Sequence, residues 1–439
     1  MINKLLNSNQ KYSKYFKNTA WLLVEKGLRV IDAFFIGIWV ARYLGPEQFG
    51  VLSYAQSFVF LFTALAALGL DQIVIKELVK NKSNKDVLLG TTLGLRLIGF
   101  FIMFSLLLIT LNIMDNSKII NTMVLIIGVS IFFQSFNGID FFFQSKVLSK
   151  YVVFTNSIVV AISAILKITL VLTGSDLIYF AYVLIVETFL TAIGFIYFYR
   201  RNSYSIRKWR FSLSTAVGLL KKSWPLIIGS IAIVLYMKID QIMIKEIIDE
   251  KAVGIYAVAV KLTSIWLFVT VAITQTVFPK LVEIRKNNRA LFLTKLQLLY
   301  NLLIKIAIVV SILYTLFAKY FVTMLFGMEY YESIPIVIIY IWSIVFVFFN
   351  NASWSYYINE NLEKFASFRL VIGATINIIL NVYFIEYFGL TGAAYATLIS
   401  YSISGYFINA LFNKTRDNFI LQTKSLVNIF NLETWRKPL

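Results

Sequence analysis

The feature that most constrains this chain is the recurrence of apolar blocks of about 20 residues, a length that crosses a bilayer as helix, separated by short polar stretches. A segment in hydrocarbon has no water to satisfy its N–H and C=O groups, so spanning blocks must be helices or a closed barrel. The blocks here are continuously apolar, whereas barrel strands alternate. The chain is therefore expected to be an all-α integral membrane protein. Twelve spans are expected, at about 20–43, 49–68, 87–111, 119–143, 151–173, 177–199, 224–247, 253–278, 295–318, 334–358, 365–388 and 390–412. Composition agrees: 59% of residues are hydrophobic and 14% charged, against about 25% charged in soluble domains.

The 439 residues carry a net charge of +19, which in a soluble protein would raise nucleic acid as a partner. Here the basic residues sit between the apolar blocks, and membrane topology accounts for them. With the N-terminus placed inside, the inner segments hold 28 Lys and Arg and the outer loops 5. Lys and Arg concentrate on the cytoplasmic side, so both termini are expected there. The basic segment 1–17, with Lys4, Lys11, Lys14 and Lys17, lacks an apolar stretch and is not expected to be a cleaved signal. No Cys and no His occur. Thiolate chemistry is excluded, and any proton transfer must proceed without imidazole. No P-loop is present, no catalytic residues are assigned, and no cofactor or metal is expected.

The most basic loop, 200–222, lies mid-chain and divides it into six-span halves at 1–199 and 223–413, with a cytoplasmic tail at 414–439. The halves share local patterns. Gly50, Tyr54 and Ala55 open the second span; Gly254, Tyr256 and Ala257 open the eighth. Phe132, Phe133 and Gln134 lie in the fourth, and Phe348, Phe349 and Asn350 in the tenth. Each half begins inside, so the repeats are expected to be parallel, with a central cavity and alternating access.

A charge at the bilayer centre is costly and marks function by default. Eight basic residues fall within spans: Lys26, Arg29, Arg96, Lys167, Lys238, Lys261, Lys305 and Arg369. Arg369 and Lys167 lie near span ends and are expected to snorkel. On the first span, Glu25, Arg29 and Asp32 share one helix face by their spacing of four and three residues. That stripe reads either as a buried ion-pair ladder or as a cavity wall. Lys238 and Asp240 point about 200° apart, so only one of them is expected to face a cavity. Glu187, mid-way along the sixth span, reads as a proton carrier or as a partner for a lysine. Deep cations outnumber deep anions, so a cavity lined by Arg29, Arg96, Lys238, Lys261 and Lys305 would attract an anion such as pyrophosphate. Entry of a proton or Na⁺ at Glu25, Asp32, Asp240 or Glu187 would reset the carrier. The tenth-span cluster Asn350, Asn351, Trp354, Tyr356, Tyr357 and Asn359, and Gln134, Asn137 and Asp140 on the fourth, offer amides and rings to a sugar or, as interfacial anchors, to the membrane boundary.

Several stretches resemble polysaccharide biosynthesis flippases. They are Trp21 to Arg29; Ala41, Arg42, Leu44, Gly45, Pro46, Glu47, Phe49 and Gly50; Leu68, Gly69 and Asp71; Trp224 and Pro225; Ile239, Asp240, Gln241 and Met243; and Gly254 with Tyr256. The chain is similar to Wzx-like O-antigen and capsule repeat-unit transporters, in the exporter superfamily that includes multidrug (MATE) and lipid II transporters. The resemblance implies two six-helix lobes about a cationic cavity. It implies export of an undecaprenyl-pyrophosphate-linked oligosaccharide across the bacterial inner membrane, driven by an ion gradient. It also implies a lipid-linked substrate, membrane lipids and polysaccharide polymerases as partners, no nucleic acid, and a monomer. Arg29 and Asp240 match the family's basic and Asp–Gln positions. A multidrug antiporter of the same fold and a membrane polymerase or ligase are the competing readings. The short outer loops and the missing His weigh against an enzyme.

Overall fold

The computed structural model describes Trp21 and residues 24–430. The basic N-terminal segment with Lys4, Lys11, Lys14 and Lys17, the first residues of the expected first span, and Arg436 and Lys437 of the tail lie outside the described residues. Every regular element among the described residues is helical. Among the described residues, ten stretches are long and apolar enough to cross a membrane, each with a mean hydropathy of 1.8 to 2.2. Twelve were expected, and the difference lies in two long stretches. The Gly37–Ala67 helix is broken at Gly45, with φ 69°. The Glu363–Gly405 helix is broken at Gly389, with φ 58°. Both breaks need the left-handed region that glycine enters without penalty.

Capping explains several helix starts. The Asp249 side chain accepts from Ala252 N at 2.7 Å ahead of Glu250–Asn287. Asn288 accepts from Leu291 N at 3.0 Å ahead of Arg289–Leu325. These bonds satisfy first-turn N–H groups that have no partner within the helix. Glu250–Asn287 has 38 residues, about 57 Å at 1.5 Å per residue, so it outruns an apolar layer of about 30 Å. Pro225 and Pro279 accordingly fall inside the Leu213–Ile247 and Glu250–Asn287 helices. Pro335 sits in the first turn of Ser333–Tyr340, where its missing N–H costs little. Large apolar side chains such as Phe101, Ile165, Leu316 and Tyr387 are exposed, as suits a surface solvated by lipid rather than water.

The chain forms two compact units, one of Met1–Tyr43 and Ala55–Val234, the other of Leu44–Tyr54 and Leu235–Leu439. In the first, the left-handed pair Leu68 and Gly69 turns the chain into Leu70–Lys80. In the second, Leu44–Tyr54 is held by a reciprocal crossing. A Cβ on Gly50 would overlap the carbonyl oxygen of Glu250, and one on Gly254 would overlap that of Pro46. The two glycines singled out as repeat equivalents thus meet, each against the residue four positions before the other. Small residues allow such close backbone approach between membrane helices.

Within the 414–439 segment, Arg416–Val427 is a helix that buries Asn418, Leu421, Gln422 and Ser425.

Replacing Gly50 or Gly254 by Ala is expected to destabilise the protein by about 1–3 kcal/mol or more, the usual cost of overpacking. Thermal unfolding in detergent checks this. Gly218→Ala, where a Cβ meets nothing within 4 Å, serves as the control and is expected to leave Tm unchanged.

Candidate functional site

In the first unit, two helix faces meet polar to polar. The Glu25, Arg29 and Asp32 stripe faces Asn156, Ser163 and Lys167 of Lys150–Leu172, residues whose spacing of seven and four also puts them on one face. Arg29 Nε donates to Glu25, and its Nη1 lies 3.9 Å from Glu187 Oε1. Asn156 donates to Glu25 at 3.2 Å, and Ser163 to Glu187 at 3.2 Å. Lys167 pairs with Asp32 at 3.4 Å. The structure therefore brings Glu25, Arg29 and Glu187 into one cluster, with Asp32 and Lys167 beside it. Arg29 keeps 43% of its side chain exposed, while Glu25 keeps 10%. Arg29 is the most exposed side chain of this cluster, ahead of Glu187 at 23%. Asp32 opens a five-residue π-helical turn, Asp32–Ile36, a distortion often found at functional sites.

Lys167 was expected to snorkel. Its pairing with Asp32 corrects that, because an ion pair within reach relieves the cost of a buried ammonium.

Arg96 lies apart from this cluster. Its guanidinium is held by Asp71, donates to Gln134 O at 3.0 Å, and stacks 5.0 Å from the Phe141 ring. Gln134 opens the 3₁₀ turn Gln134–Asn137, which interrupts the helical bonding of the fourth span. Arg96 thus supplies a donor where the helix leaves a carbonyl short of one. Arg369, also expected to snorkel, is 3% exposed. It donates to Asn350 Oδ1, to Asn350 O at 3.2 Å and to Ser404 O at 3.4 Å, with Tyr357's ring 4.7 Å away. Gln134 and Asn350 were paired as repeat equivalents, and each receives an arginine from another helix.

In the second unit, Asp240 is buried among neutral donors. Asn381 Nδ2 donates to it at 2.6 Å, Thr397 Oγ1 at 2.7 Å and Tyr256 Oη at 2.9 Å. Asn381 also donates to Asn377 Oδ1 at 3.2 Å, and Asn381 Oδ1 is buried with no donor. The cage is rich in oxygen, the ligand type hard cations prefer. Lys238 is half-buried, so of the Lys238 and Asp240 pair the carboxylate is the deeper. Lys261 lies 5.5 Å from the Phe49 ring centroid, and Lys305 is buried.

The tenth-span cluster is largely structural. Tyr356 donates to Lys414 O at 3.0 Å, Tyr357 donates to Asn409, and Trp354 alone of its rings is exposed. On the fourth span, Asp140 accepts from Gln144 at 3.0 Å.

Sequence reasoning missed Asn156, Ser163, Asn377, Asn381 and Thr397, and gave Asp71 only as a motif residue. The signal was available for two of them: Asn377 and Asn381 stand one turn apart in an otherwise apolar span.

The fold is that of a polytopic helical membrane protein, and the comparisons give its family. Residues 15–285 match the family described as polysaccharide biosynthesis protein, and the chain belongs to that family. A lipid II flippase MurJ in an inward closed conformation superposes with a TM-score of 0.72 at 16% identity, covering 95% of this chain and 93% of that one. An inward-facing MATE family multidrug transporter of the MOP superfamily gives a TM-score of 0.62 at 13% identity, covering 94% and 96%. Its outward-facing counterpart gives 0.62 at 13%, covering 97% and 96%. A membrane protein of Methanocaldococcus jannaschii, MJ1068, is 29% identical over 138 residues, which is 30% of this chain and 27% of that protein. The chain shares the fold of these solved exporters.

Arg96→Met is expected to lower stability by about 1–3 kcal/mol, because it strands a buried acceptor. Arg29→Gln, at a half-exposed side chain, is expected to shift Tm far less. Unfolding midpoints of the two variants check this.

Proposed function

We propose that this protein is a flippase that moves an undecaprenyl-pyrophosphate-linked oligosaccharide from the cytoplasmic to the periplasmic leaflet of a bacterial inner membrane. Both termini lie in the cytoplasm, and twelve spans form two lobes that alternate access. The observation that carries the reading is Arg29, a cation kept in the membrane among carboxylates yet open on one side. Carboxylates hold the guanidinium oriented until a stronger anion displaces them. Guanidinium binds phosphate oxygens in a bidentate fork. In this reading Lys238 and Lys261 take the remaining pyrophosphate charge. Lys305 is a further basic contact. The prenyl tail stays in lipid throughout, so only the headgroup needs a polar path.

Arg96, grouped with these at first, is read as a brace for the fourth span, since its Nη1 and Nη2 are turned to Gln134 and Asp71.

The return step is assigned to a proton or a sodium ion. The Asp240 cage supports this: a carboxylate met by neutral donors in low dielectric gains most from a bound cation or proton. Glu25, Asp32 and Glu187 are the corresponding groups in the first unit. The protein acts as a monomer, without cofactor, and passes its product to polymerising enzymes outside.

Two measurements test this. Arg29→Ala and Lys261→Ala, compared at matched protein level, are each expected to reduce surface polysaccharide about tenfold or more, the scale of losing one charge-assisted contact; full export in both removes the pyrophosphate role. For coupling, lipid-linked sugar is followed across vesicle membranes with an imposed H⁺ or Na⁺ gradient. Wild type should respond to one of the ions and Asp240→Asn to neither. An Asp240→Asn protein that responds like wild type ends the coupling assignment.

A further inference from the structure

The Arg416–Val427 helix is built with its polarity reversed. Asn418 accepts from Tyr300 Oη at 2.6 Å and donates to Ser353 Oγ at 3.2 Å. Gln422 donates to Ser353 Oγ at 3.0 Å and to Gly405 O at 2.9 Å, and accepts from Asn409 at 3.2 Å. Ser425 is buried beside them. Polar side chains thus face the protein.

At 100° per residue, Arg416, Ile420, Lys424 and Val427 fall within an arc of about 80° on the opposite side. All four are exposed, Ile420 at 41% and Val427 at 67%. Leu411, at 78%, precedes them with Phe412 and Lys414, both also exposed. The outer face is therefore apolar and basic at once. Water does not suit its aliphatic side chains, and hydrocarbon does not suit its cations.

Position narrows the choice. The Glu363–Ala410 stretch is long and apolar enough to span, and the helix begins six residues after it. Six residues reach at most about 20 Å, so the helix cannot leave the membrane boundary. Asp417 pairs with Arg289 at 2.8 Å, which ties its first turn to the start of the Arg289–Leu325 span.

We propose that this helix lies along the cytoplasmic membrane surface, with its outer face resting on anionic phospholipid headgroups. Ile420, Val427, Leu411 and Phe412 enter the headgroup–acyl boundary while Lys414, Arg416 and Lys424 meet the phosphates, the arrangement of interfacial helices on acidic lipid. The contact is independent of what the protein carries. It would hold the ends of three helices at a fixed depth.

The absence of cysteine makes the test direct. Ile420→Cys and Val427→Cys, in the full chain, are labelled with bimane and reconstituted in phosphatidylcholine nanodiscs with or without phosphatidylglycerol. Quenching is read with headgroup-region nitroxide lipid and with aqueous iodide. The expected result is nitroxide quenching that rises about twofold or more with phosphatidylglycerol and falls back at high salt, as surface-charge attraction requires. Arg416→Gln with Lys424→Gln, both exposed positions, should abolish that rise. Iodide quenching that ignores lipid composition overturns the proposal, as does shielding from both quenchers, which would mean a protein partner covers the face.

Discussion

Hydrocarbon gives a charged or polar group no second chance. A donor that loses its partner in water finds another at once, whereas in lipid it pays the full desolvation cost. The described ion pairs and cages follow from this. Arg96 spends its hydrogens on Asp71 and a helix break, Lys167 on Asp32, and Arg369 on Asn350. Asp240 gathers three neutral donors from elsewhere in its unit. Each such group also fixes a helix register, because its partner stands at one height only. The deep charges are at once the costliest part of this protein and its assembly marks.

That double role explains why counting charges misleads. Cations outnumber anions in the spans, yet the first unit sets carboxylates against Arg29, Arg96 and Lys167. What separates Arg29 from the other two is geometry. Arg96 is enclosed, and Lys167 is mostly so, while Arg29 retains an open side. A transport role belongs to an ion pair that can be exchanged, and openness is the property that makes exchange possible.

The fold class and the apolar stretches were legible because a 20-residue apolar block admits few conformations. The shared face of Glu25, Arg29 and Asp32 was legible because helix spacing fixes it. The Gly50 and Gly254 patterns were recognisable as related, but their mutual contact was not, since nothing in either segment says where the other lies. The same limit hid Asn156, Asn381 and Thr397, whose meaning depends on a carboxylate more than 130 residues distant. Arg369 and Lys167 were misjudged for a related reason. Sequence gives depth along one helix, and depth near an end suggests escape to water, whereas a neighbouring helix supplied the partner. In the Arg416–Val427 helix the polar Asn418, Gln422 and Ser425 face inward, which composition alone does not announce.

The π-helical turn at Asp32–Ile36 has a consequence for the residues on either side of it. A wider turn absorbs one surplus residue, and each residue of helix is worth about 100° of rotation. Glu25 and Arg29 lie before the turn, and the buried residues Ile38, Val40 and Ala41 lie after it. The bulge therefore works as a phase-setter. It lets the packing of the outer segment be dictated by its neighbours while the charged stripe is aimed on its own terms, so that deleting the one surplus residue would swing the arginine away from its carboxylates without altering a single contact residue.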